Sequence, residues 1–492
     1  MSNNTRFLPV ALLLAAAPFA ASAAVHEIPV TTNNAEARLA FDAGQAALDR
    51  GDGAQANELF RTAVAADPDF TYAWVNLSNV TFSTEEFNAA LKGAERGAAK
   101  ASDGERMLLQ FNQLFLTNNF GAQLDLAKQL VDKYPDSPRA RLLLAGAHVA
   151  LNQFAEQRAE LEKTIALAPG FSPAPFTLAT SWLFNQPTDF AKAEKYYRLA
   201  VADSPGTDMY YWALGDVYRG SNRLEDARRY YQLALQLDPK DPTAPVKLGH
   251  VNSFLGRFDE ARANYDAGMK AASPATAAFL GPFKSLTWVY AGDPQAAIRS
   301  LEDLVRDIDA SSAGADQKLN AQVAALTNAA QIALHFGLYD DADRVLAART
   351  KRSLDNAKSV GTDAFSKIQE SQVVFWDAMV AAYRGDYRAA SALARRNADL
   401  VAGENNARKL EPYHEVLGFV ELRRKSFKKA IAELQLADQT QLHNRYWMAQ
   451  ALEGAGRKEE AMTLYREISV NNFNTVDFAL VRAEALKKAA QG

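Results

Sequence analysis

The stretch TDMYYWALGDVYRGSNRLEDARRYYQLALQLDPK, residues 207–240, decides the fold of this chain. Its first half places apolar and small residues three and four positions apart, which is the spacing of one face of an α-helix. These residues are Tyr211, Leu214, Gly215 and Tyr218. Gly220 and Asn222 interrupt the pattern, and a second helical face starts at Ala227. Pro239 closes the unit because proline cannot continue a helix. The stretch therefore predicts two helices joined by a turn.

The same unit recurs along the chain. Ala193, Ala227 and Ala261 follow one another at intervals of 34 residues (227 − 193 and 261 − 227). A ladder of prolines runs beside them, at Pro68, Pro135, Pro169, Pro205, Pro239 and Pro274. A fixed period of this length is typical of stacked helical hairpins, in which each repeat packs mainly on its neighbours. The sequence therefore predicts an all-α solenoid rather than a compact globular domain.

The unit resembles the tetratricopeptide repeat (TPR). The motif Tyr-x-x-Leu-Gly-x-x-Tyr at 211–218, followed by Ala227, Tyr231 and Pro239, matches the family pattern with aromatic exchanges only. Beyond Pro274 the match is looser, although turn glycines still precede helix alanines by five residues, as in Gly456 and Ala461. The resemblance covers roughly residues 37–470. It implies a right-handed α-solenoid of about twelve stacked antiparallel helix pairs.

The expected organisation has five parts. They are a signal peptide (1–24), a short lead-in (25–36), an N-terminal TPR array (37–306), a divergent C-terminal TPR-like array (317–474) and a C-terminal capping helix (475–492). Most of the repeat alanines in the second half stand more than 34 residues apart, which implies longer helices or inserted loops. Residues 309–316 and 351–363 are interpreted as such inserts. The sequence leaves open whether the array is one continuous superhelix or two blocks that meet near residue 310.

The N-terminal residues and the composition bear on the compartment. Residues 7–17 are almost wholly apolar, and Ala21-Ser22-Ala23 has the small residues of a signal-peptidase site. The apolar run is too short to span a bilayer, so it predicts a cleavable signal and a periplasmic or secreted protein. There is no cysteine, which excludes disulfides, thiolate metal sites and a lipid attached to cysteine. A net charge of −4 gives no electrostatic case for nucleic acid.

No motif indicates catalysis, a cofactor or a metal. None of the six histidines pairs with another at metal-ligand spacing. His414-Glu415 begins like a zinc-hydrolase helix, but Gly418 stands where the second histidine belongs. Neither a phosphate-binding glycine loop followed by lysine nor a Gly-x-Ser-x-Gly elbow is present. We therefore expect a protein that is not an enzyme and needs no cofactor.

The resemblance implies that the first helix of each pair lines a concave surface that binds a partner. Positions expected to face outward there carry aromatic and polar residues, which suit an extended peptide or a sugar chain. The candidate partner-binding residues are Phe41, Asn79, Trp212, Asp216, Arg219, His250, Tyr446 and Gln450. His250 in particular is expected on an exposed helix face. Only Asn79 fits the Lys, Asn and Arg set with which some TPR proteins bind a terminal carboxylate, which argues against that mode.

These observations lead to one functional hypothesis and one alternative. The hypothesis is an exported scaffold that binds a protein or peptide through the concave face of a TPR superhelix, in periplasmic assembly of an envelope or secretion complex. The alternative is a TPR module that binds polysaccharide or cell wall. No nucleic-acid partner and no transmembrane segment after signal cleavage are expected.

Overall fold

The computed structural model describes residues 27–81 and 83–491, so the expected signal peptide lies outside the described residues. Within these ranges the chain forms 25 helices and no strand, which confirms the predicted all-α fold. The first six pairs are α1 (Ala35–Asp49) and α2 (Gly53–Ala66), α3 (Thr71–Asn79) and α4 (Thr84–Gly97), α5 (Asp103–Leu116) and α6 (Phe120–Lys133), α7 (Pro138–Ala150) and α8 (Phe154–Leu167), α9 (Pro173–Phe184) and α10 (Phe190–Asp203), and α11 (Asp208–Gly220) and α12 (Leu224–Leu237).

The remaining helices form six more pairs and a terminal helix. They are α13 (Thr243–Phe254) and α14 (Phe258–Ala271), α15 (Pro274–Tyr290) and α16 (Pro294–Ala310), α17 (Ala315–His335) and α18 (Tyr339–Val360), α19 (Asp363–Tyr383) and α20 (Tyr387–Leu400), α21 (Glu411–Arg423) and α22 (Phe427–Leu434), α23 (Leu442–Gly454) and α24 (Lys458–Ser469), and α25 (Val476–Ala489). Each helix packs on the next one along the chain, so the described residues form the twelve stacked hairpins that the repeat predicts.

A glycine of the first helix fits against an aromatic ring of the second helix in several hairpins. A Cβ on Gly215 would lie 2.4 Å from the Tyr231 ring, and one on Gly249 would lie 2.7 Å from the Tyr265 ring. Both tyrosines are fully buried. Only glycine lets the two helices approach this closely, because any side chain would displace the ring. This contact explains why the repeat keeps a glycine and an aromatic residue 16 positions apart (231 − 215 and 265 − 249).

Ala227 offers a test of close helix packing. It is fully buried in α12, and leucine at this position is expected to destabilise the protein by about 1–3 kcal/mol because the added atoms overpack the contact. Urea unfolding followed by circular dichroism measures the loss. Arg223→Ala is the control, since that side chain is mostly exposed and its replacement should change the midpoint little. Equal midpoints for Ala227→Leu and the wild-type chain would contradict tight packing at Ala227.

Longer helices, one of the two causes that the sequence left open, account for most of the wider spacing in the second half. Helices α15 to α19 have 17, 17, 21, 22 and 21 residues, whereas α11 to α14 have 12 to 14. Residues 351–360 continue α18, so the interpretation of 351–363 as an inserted loop was wrong. Residues 311–314 do form a short loop, and α16 packs on α17 across it. Helix stacking therefore continues past residue 310.

Distant hairpins also touch, so the solenoid is tightly wound. Helix α4 packs on α17 and α18, where Asn320 Nδ2 donates to Thr84 Oγ1 at 3.1 Å. The Gly121 amide donates to the Asn405 carbonyl at 3.1 Å. Helix α25 packs on α23 and α24 and also reaches α15 and α17. None of the helices in residues 27–81 and 83–491 combines the length and apolar character needed to cross a membrane.

Candidate binding surfaces on the concave face

The first helices of the first four hairpins, α1, α3, α5 and α7, line a groove of about 350 Å³, here called the N-terminal groove. Its polar lining consists of Gln45, Tyr72, Asn76, Asn79, Asn112 and Arg139 from these helices, together with Gln123 from α6. Its apolar lining includes Leu48, Val75, Leu108, Phe111, Phe115 and Leu142. Uncharged amides alternating with apolar side chains therefore dominate this surface.

An ion pair joins the two ends of the groove. Arg139, near the start of α7, donates two hydrogen bonds to the carboxylate of Asp49, the last residue of α1, at 2.8 and 2.6 Å. Burial alone would lower the pKa of the Arg139 guanidinium, but the hydrogen bonds and charge of Asp49 outweigh it and raise this pKa. Ser172 Oγ also donates to the Asp49 carbonyl at 3.1 Å. These contacts hold the first and last of the four lining helices together. The Arg139 guanidinium, which lines the groove, is therefore already paired with Asp49.

One amide donor in this groove has no partner. Asn76 is 6% exposed, and its Nδ2 finds no acceptor among the described residues. By contrast, Asn112 Nδ2 donates to Ser78 Oγ and to Asn79 Oδ1, both at 2.9 Å. A buried unpaired donor costs about 1–3 kcal/mol, so native proteins rarely keep one without a reason. The unpaired Nδ2 of Asn76 is itself shielded from solvent, so an acceptor in the N-terminal groove reaches it only after a small shift of the surrounding side chains.

An exposed aromatic ring borders the same groove. Phe115, at the end of α5, is 56% exposed, although it lies 6.3 Å from the rings of both Phe87 and Phe120. A large exposed aromatic beside a concave, mostly apolar surface is typical of an interaction site. The groove thus combines an apolar contact area with hydrogen-bonding amides.

The concave face of the middle hairpins is covered by the chain itself. The loop 471–475, which connects α24 to α25, is here called the covering segment. Asn472 Nδ2 donates to the Arg219 carbonyl at 3.2 Å and to Asn222 Oδ1 at 2.8 Å. The Phe473 ring lies 4.5 Å from that of Phe184 at the end of α9. The covering segment therefore lies over the ends of α9 and α11.

Asn474 continues the covering segment onto α13 and α15. Its Nδ2 lies 3.0 Å from both His250 Nδ1 and Tyr265 Oη, and its Oδ1 accepts from Tyr290 Oη at 2.8 Å. Burial, with the charges of Arg219 and Lys247, holds the pKa of His250 well below its usual value. The imidazole is therefore neutral and can accept the amide hydrogen of Asn474.

A buried charge cluster lies beside the covering segment. Asp216 on α11 accepts from Arg219 at 2.7 Å, from Lys247 at 2.6 Å and from the Tyr231 hydroxyl at 2.7 Å. Burial would raise the pKa of the Asp216 carboxyl, but Lys247 and Arg219 outweigh it and hold this pKa below its ordinary value. Arg219 is 2% exposed and stacks 5.3 Å from the Phe473 ring. Asp216, Arg219 and Lys247 therefore pair with one another inside the protein rather than at an open surface.

The structure changes the interpretation of most predicted binding residues. The expected exposure was wrong for Phe41, Asp216, Arg219, His250 and Tyr446, which are all buried. Phe41 packs among Phe60, Phe70 and Tyr72, and the Tyr446 hydroxyl donates to Glu484 at 2.7 Å. Trp212 and Gln450 are half-buried, with Lys247 Nζ 4.9 Å from the Trp212 ring centre. Asn79 is exposed and lines the N-terminal groove.

Three groove residues were missed by the sequence argument, namely Asn76, Asn112 and Phe115. Asn76 stands one helical turn before Asn79 in α3, so the spacing of the two asparagines was a usable signal. Asn112 and Phe115 lie in α5, whose hairpin lacks the repeat alanines and is therefore poorly aligned by the motif. Among the described residues, no three acidic or histidine side chains are placed to hold a metal ion.

Comparison with known proteins supports the repeat assignment. The tetratricopeptide repeat family model matches residues 41–106, 118–170 and 188–242. These ranges contain α3, α7 and most of α1 of the N-terminal groove, whereas most of α5 lies between the first two ranges. No curated protein sequence matches the chain significantly. Tetratricopeptide repeats generally serve as non-catalytic scaffolds that bind proteins or peptides.

Solved structures of shorter repeat proteins resemble parts of the chain. A thermophilic TPR protein from Thermus thermophilus is 21% identical, covers 34% of this chain and 91% of its own, and has a TM-score of 0.31. YrrB, a TPR protein with an unusual peptide-binding site, is 16% identical, with coverages of 40% and 97% and a TM-score of 0.26. PilW, a type IV pilus biogenesis factor, is 16% identical, with coverages of 43% and 97% and a TM-score of 0.34. The repeat motif and the family match together show tetratricopeptide repeats within residues 41–242, and the hairpins that follow continue the same stacking of antiparallel helices.

Proposed function

We propose that this protein is a scaffold that binds an extended polypeptide segment of a partner protein in the N-terminal groove. The observation that carries the proposal is the unpaired Nδ2 of Asn76, buried in a groove lined by amides. A backbone carbonyl of an extended peptide is the acceptor that this donor lacks. Burial of the donor makes such a hydrogen bond more valuable than one at an open surface.

The chemistry of the groove fits a peptide backbone. Side-chain amides both donate and accept, and the exposed amide of Asn79 can pair with the alternating N–H and C=O groups of an extended chain. Gln45 and Gln123 are buried, and Gln123 Nε2 already donates to the Phe111 carbonyl at 3.1 Å. The apolar lining and the exposed Phe115 ring provide contact area for the side chains of the bound segment. Since Arg139 is already paired with Asp49, the groove sets no requirement for an acidic ligand.

The covering segment supports the same mode of binding. Residues 471–475 are non-helical and lie on the concave face of the middle hairpins, where Asn472 and Asn474 form hydrogen bonds with first-helix residues. A stretch of polypeptide is therefore already accommodated on this face within the chain. The residues that line the N-terminal groove all come from helices, and no non-helical segment is among them.

The test begins with a peptide selected from a random dodecapeptide library on the full-length protein. We expect Asn76→Leu to weaken this peptide at least tenfold, about 1.4 kcal/mol, because leucine keeps the size of asparagine but removes the donor. Fluorescence anisotropy of the labelled peptide measures the affinity. Thermal unfolding of Asn76→Leu should be unchanged or improved, since an unpaired buried polar group is removed.

Asn88→Leu is the matched control. Asn88 lies on α4, the second helix of the same hairpin, and does not line the groove, so this exchange should leave peptide affinity unchanged. Equal affinity of the selected peptide for Asn76→Leu and the wild-type chain would contradict the proposal. Failure to select any peptide, together with binding of a purified polysaccharide that Asn76→Leu abolishes, would replace it with the carbohydrate-binding alternative.

We further propose that the protein acts outside the cytoplasm, in the periplasm or after secretion, within the assembly of an envelope or secretion complex. The apolar run at residues 7–17 and the small residues at 21–23 support export. N-terminal sequencing of the protein from its native cells should begin just after Ala23 or Ala24. Retention of residues 1–24 in a cytoplasmic fraction would refute the export proposal without affecting the groove.

A further inference from the structure

A second cavity, here called the C-terminal pocket, lies among the first helices of the last hairpins. Helices α17, α19, α21 and α23 and the terminal helix α25 contribute to its wall, and its volume is about 290 Å³. This is close to the lower limit of roughly 300 Å³ for small-ligand sites, so it fits one side chain or one small molecule. It shares no lining residue with the N-terminal groove.

Aromatic and acidic side chains together form the wall of this pocket. The aromatic lining consists of Phe375, Trp376, Tyr383 and Trp447. The acidic lining consists of Glu411, Glu415, Asp438 and Asp477. Aromatic faces and carboxylates both attract cations, the former through the ring quadrupole and the latter through charge.

One histidine in the pocket is fixed as a cation between two of these acids. His443 Nε2 lies 3.0 Å from Glu415 Oε1, and its Nδ1 lies 3.1 Å from Asp477 Oδ1. Burial would lower the pKa of the imidazole, but the carboxylates of Asp477 and Glu415 outweigh it and raise this pKa well above its usual value. With both ring nitrogens donating, His443 has no lone pair to act as a general base.

The charge balance of the pocket is negative. Arg408 pairs with Glu411 at 3.0 Å and with Asp438 at 3.1 Å. The four lining carboxylates therefore face two cations, Arg408 and His443, which leaves an excess of two negative charges. Burial lowers the pKa of His335, the other histidine of the lining, so this residue adds no positive charge. Arg349 lies 5.7 Å from the Trp376 ring centre without lining the pocket, and counting it still leaves one negative charge in excess.

We propose that the C-terminal pocket binds an organic cation with an apolar body, such as a guanidinium or ammonium group on an alkyl chain. The carboxylates attract the charged head, and the aromatic wall with Met379, Leu480 and Val481 receives the alkyl part. A free amine and an arginine or lysine side chain of a bound polypeptide share this chemistry. This site is separate from the N-terminal groove and does not rest on its proposed function.

The experiment titrates three probes into the full-length protein by isothermal calorimetry. Butylguanidine represents a free alkyl guanidinium, Nα-acetylargininamide represents a peptide-borne side chain, and Nα-acetylcitrullinamide is the uncharged analogue of the latter. We expect at least one guanidinium probe to bind and the citrulline analogue to bind at least tenfold more weakly. Binding of butylguanidine alone would identify a small free cation as the ligand, and binding of the arginine compound alone would identify a polypeptide side chain.

A lysine introduced into the C-terminal pocket tests the same proposal, because its ammonium group would occupy the site of the bound cation. Gln372 lines the pocket from α19 and is half-buried, so Gln372→Lys places an ammonium group inside it. We expect this variant to weaken the guanidinium probe at least tenfold, whereas Gln372→Met should retain binding. Gln232→Lys makes the same change of charge at an exposed position of α12 and should leave the affinity for the guanidinium probe unchanged. Asn76→Leu, in the N-terminal groove, should also leave this affinity unchanged.

Three results would overturn the proposal. They are the absence of binding by both guanidinium probes, equal binding of the citrulline analogue, and unchanged affinity in Gln372→Lys with a wild-type circular dichroism spectrum. If Gln372→Lys fails to fold, the comparison between the arginine and citrulline probes on the wild-type protein decides the question alone.

Discussion

Replacing Asp216 with alanine is expected to destabilise the folded chain by about 3–5 kcal/mol, because it leaves buried cations without their counter-charge. Arg219 is 2% exposed, and its Nε and Nη1 already lack hydrogen-bond partners among the described residues. Lys247 also loses the carboxylate partner that its Nζ contacts at 2.6 Å. Urea unfolding monitored by circular dichroism measures the change in midpoint.

Asp226→Ala is the control for this variant. Asp226 pairs with Arg223 at 2.7 Å, but both side chains are largely exposed, so its loss should cost about 1 kcal/mol or less. Similar losses for the two variants would contradict the claim that Asp216 compensates buried charge. Asp216→Asn removes the charge but keeps the shape of the side chain. Its urea midpoint should lie nearer to that of Asp216→Ala than to that of the wild-type chain.

The pH dependence of the Asp216 effect has a definite direction. Because the folded-state pKa of this carboxyl is lowered, its stabilising contribution is complete above the unfolded value of 3.8 and is lost as the pH falls through the lower folded value. The midpoint difference between the wild-type chain and Asp216→Asn should therefore stay constant from pH 7 to 5. It should narrow only in strong acid.

His443 is expected to give the second large effect. Replacing it with leucine leaves the carboxylates of Glu415 and Asp477 facing each other without the imidazolium, and breaking a buried pair of this kind costs about 3–5 kcal/mol. Because Asp477 belongs to α25, we expect this helix to detach before the rest of the array. Amide hydrogen exchange of residues 476–489 should accelerate in His443→Leu more than exchange in α11 or α12.

His414→Leu is the matched control, since His414 contacts a single carboxylate, Glu433 at 2.8 Å, whose side chain is 29% exposed, against 11% and 9% for Glu415 and Asp477. Its loss should cost about 1 kcal/mol or less. The raised pKa of His443 means that its contribution is complete below pH 6.5 and is lost as the pH rises through the folded value. A stability difference between His443→Leu and the wild-type chain that grows between pH 6.5 and 9 would contradict this assignment.

The local part of the fold could be predicted because it depends on residues close in sequence. The pairing of Gly215 with Tyr231 needs only the helix period and a short turn, both visible within residues 207–240. The later hairpins follow the same rule with longer helices, and the motif could not tell a longer helix from a loop at 351–363. The repeat pattern therefore predicted the existence of the hairpins better than the lengths of their helices.

The candidate site was harder to predict because its exposure depends on distant residues. Asp216, Arg219 and His250 occupy first-helix positions that repeat geometry would leave open. The covering segment contacts Arg219 and His250, whereas Asp216 is enclosed by Arg219, Tyr231 and Lys247. Asn472 lies 253 positions after Arg219 in the chain. No periodic sequence pattern predicts a contact between residues so far apart in the chain. Asn79 remained accessible because the covering segment does not reach the first four hairpins.

The central claim is that an extended polypeptide binds in the N-terminal groove, and site-specific photo-crosslinking tests it most directly. The photoreactive amino acid p-benzoylphenylalanine replaces Phe115 at the groove in one sample and Phe336, the exposed residue that follows α17, in another. With the peptide selected for the wild-type chain, we predict a crosslinked adduct from position 115 that excess unlabelled peptide abolishes, and none from position 336. Equal adducts from both positions, or an adduct from 336 alone, would contradict the account.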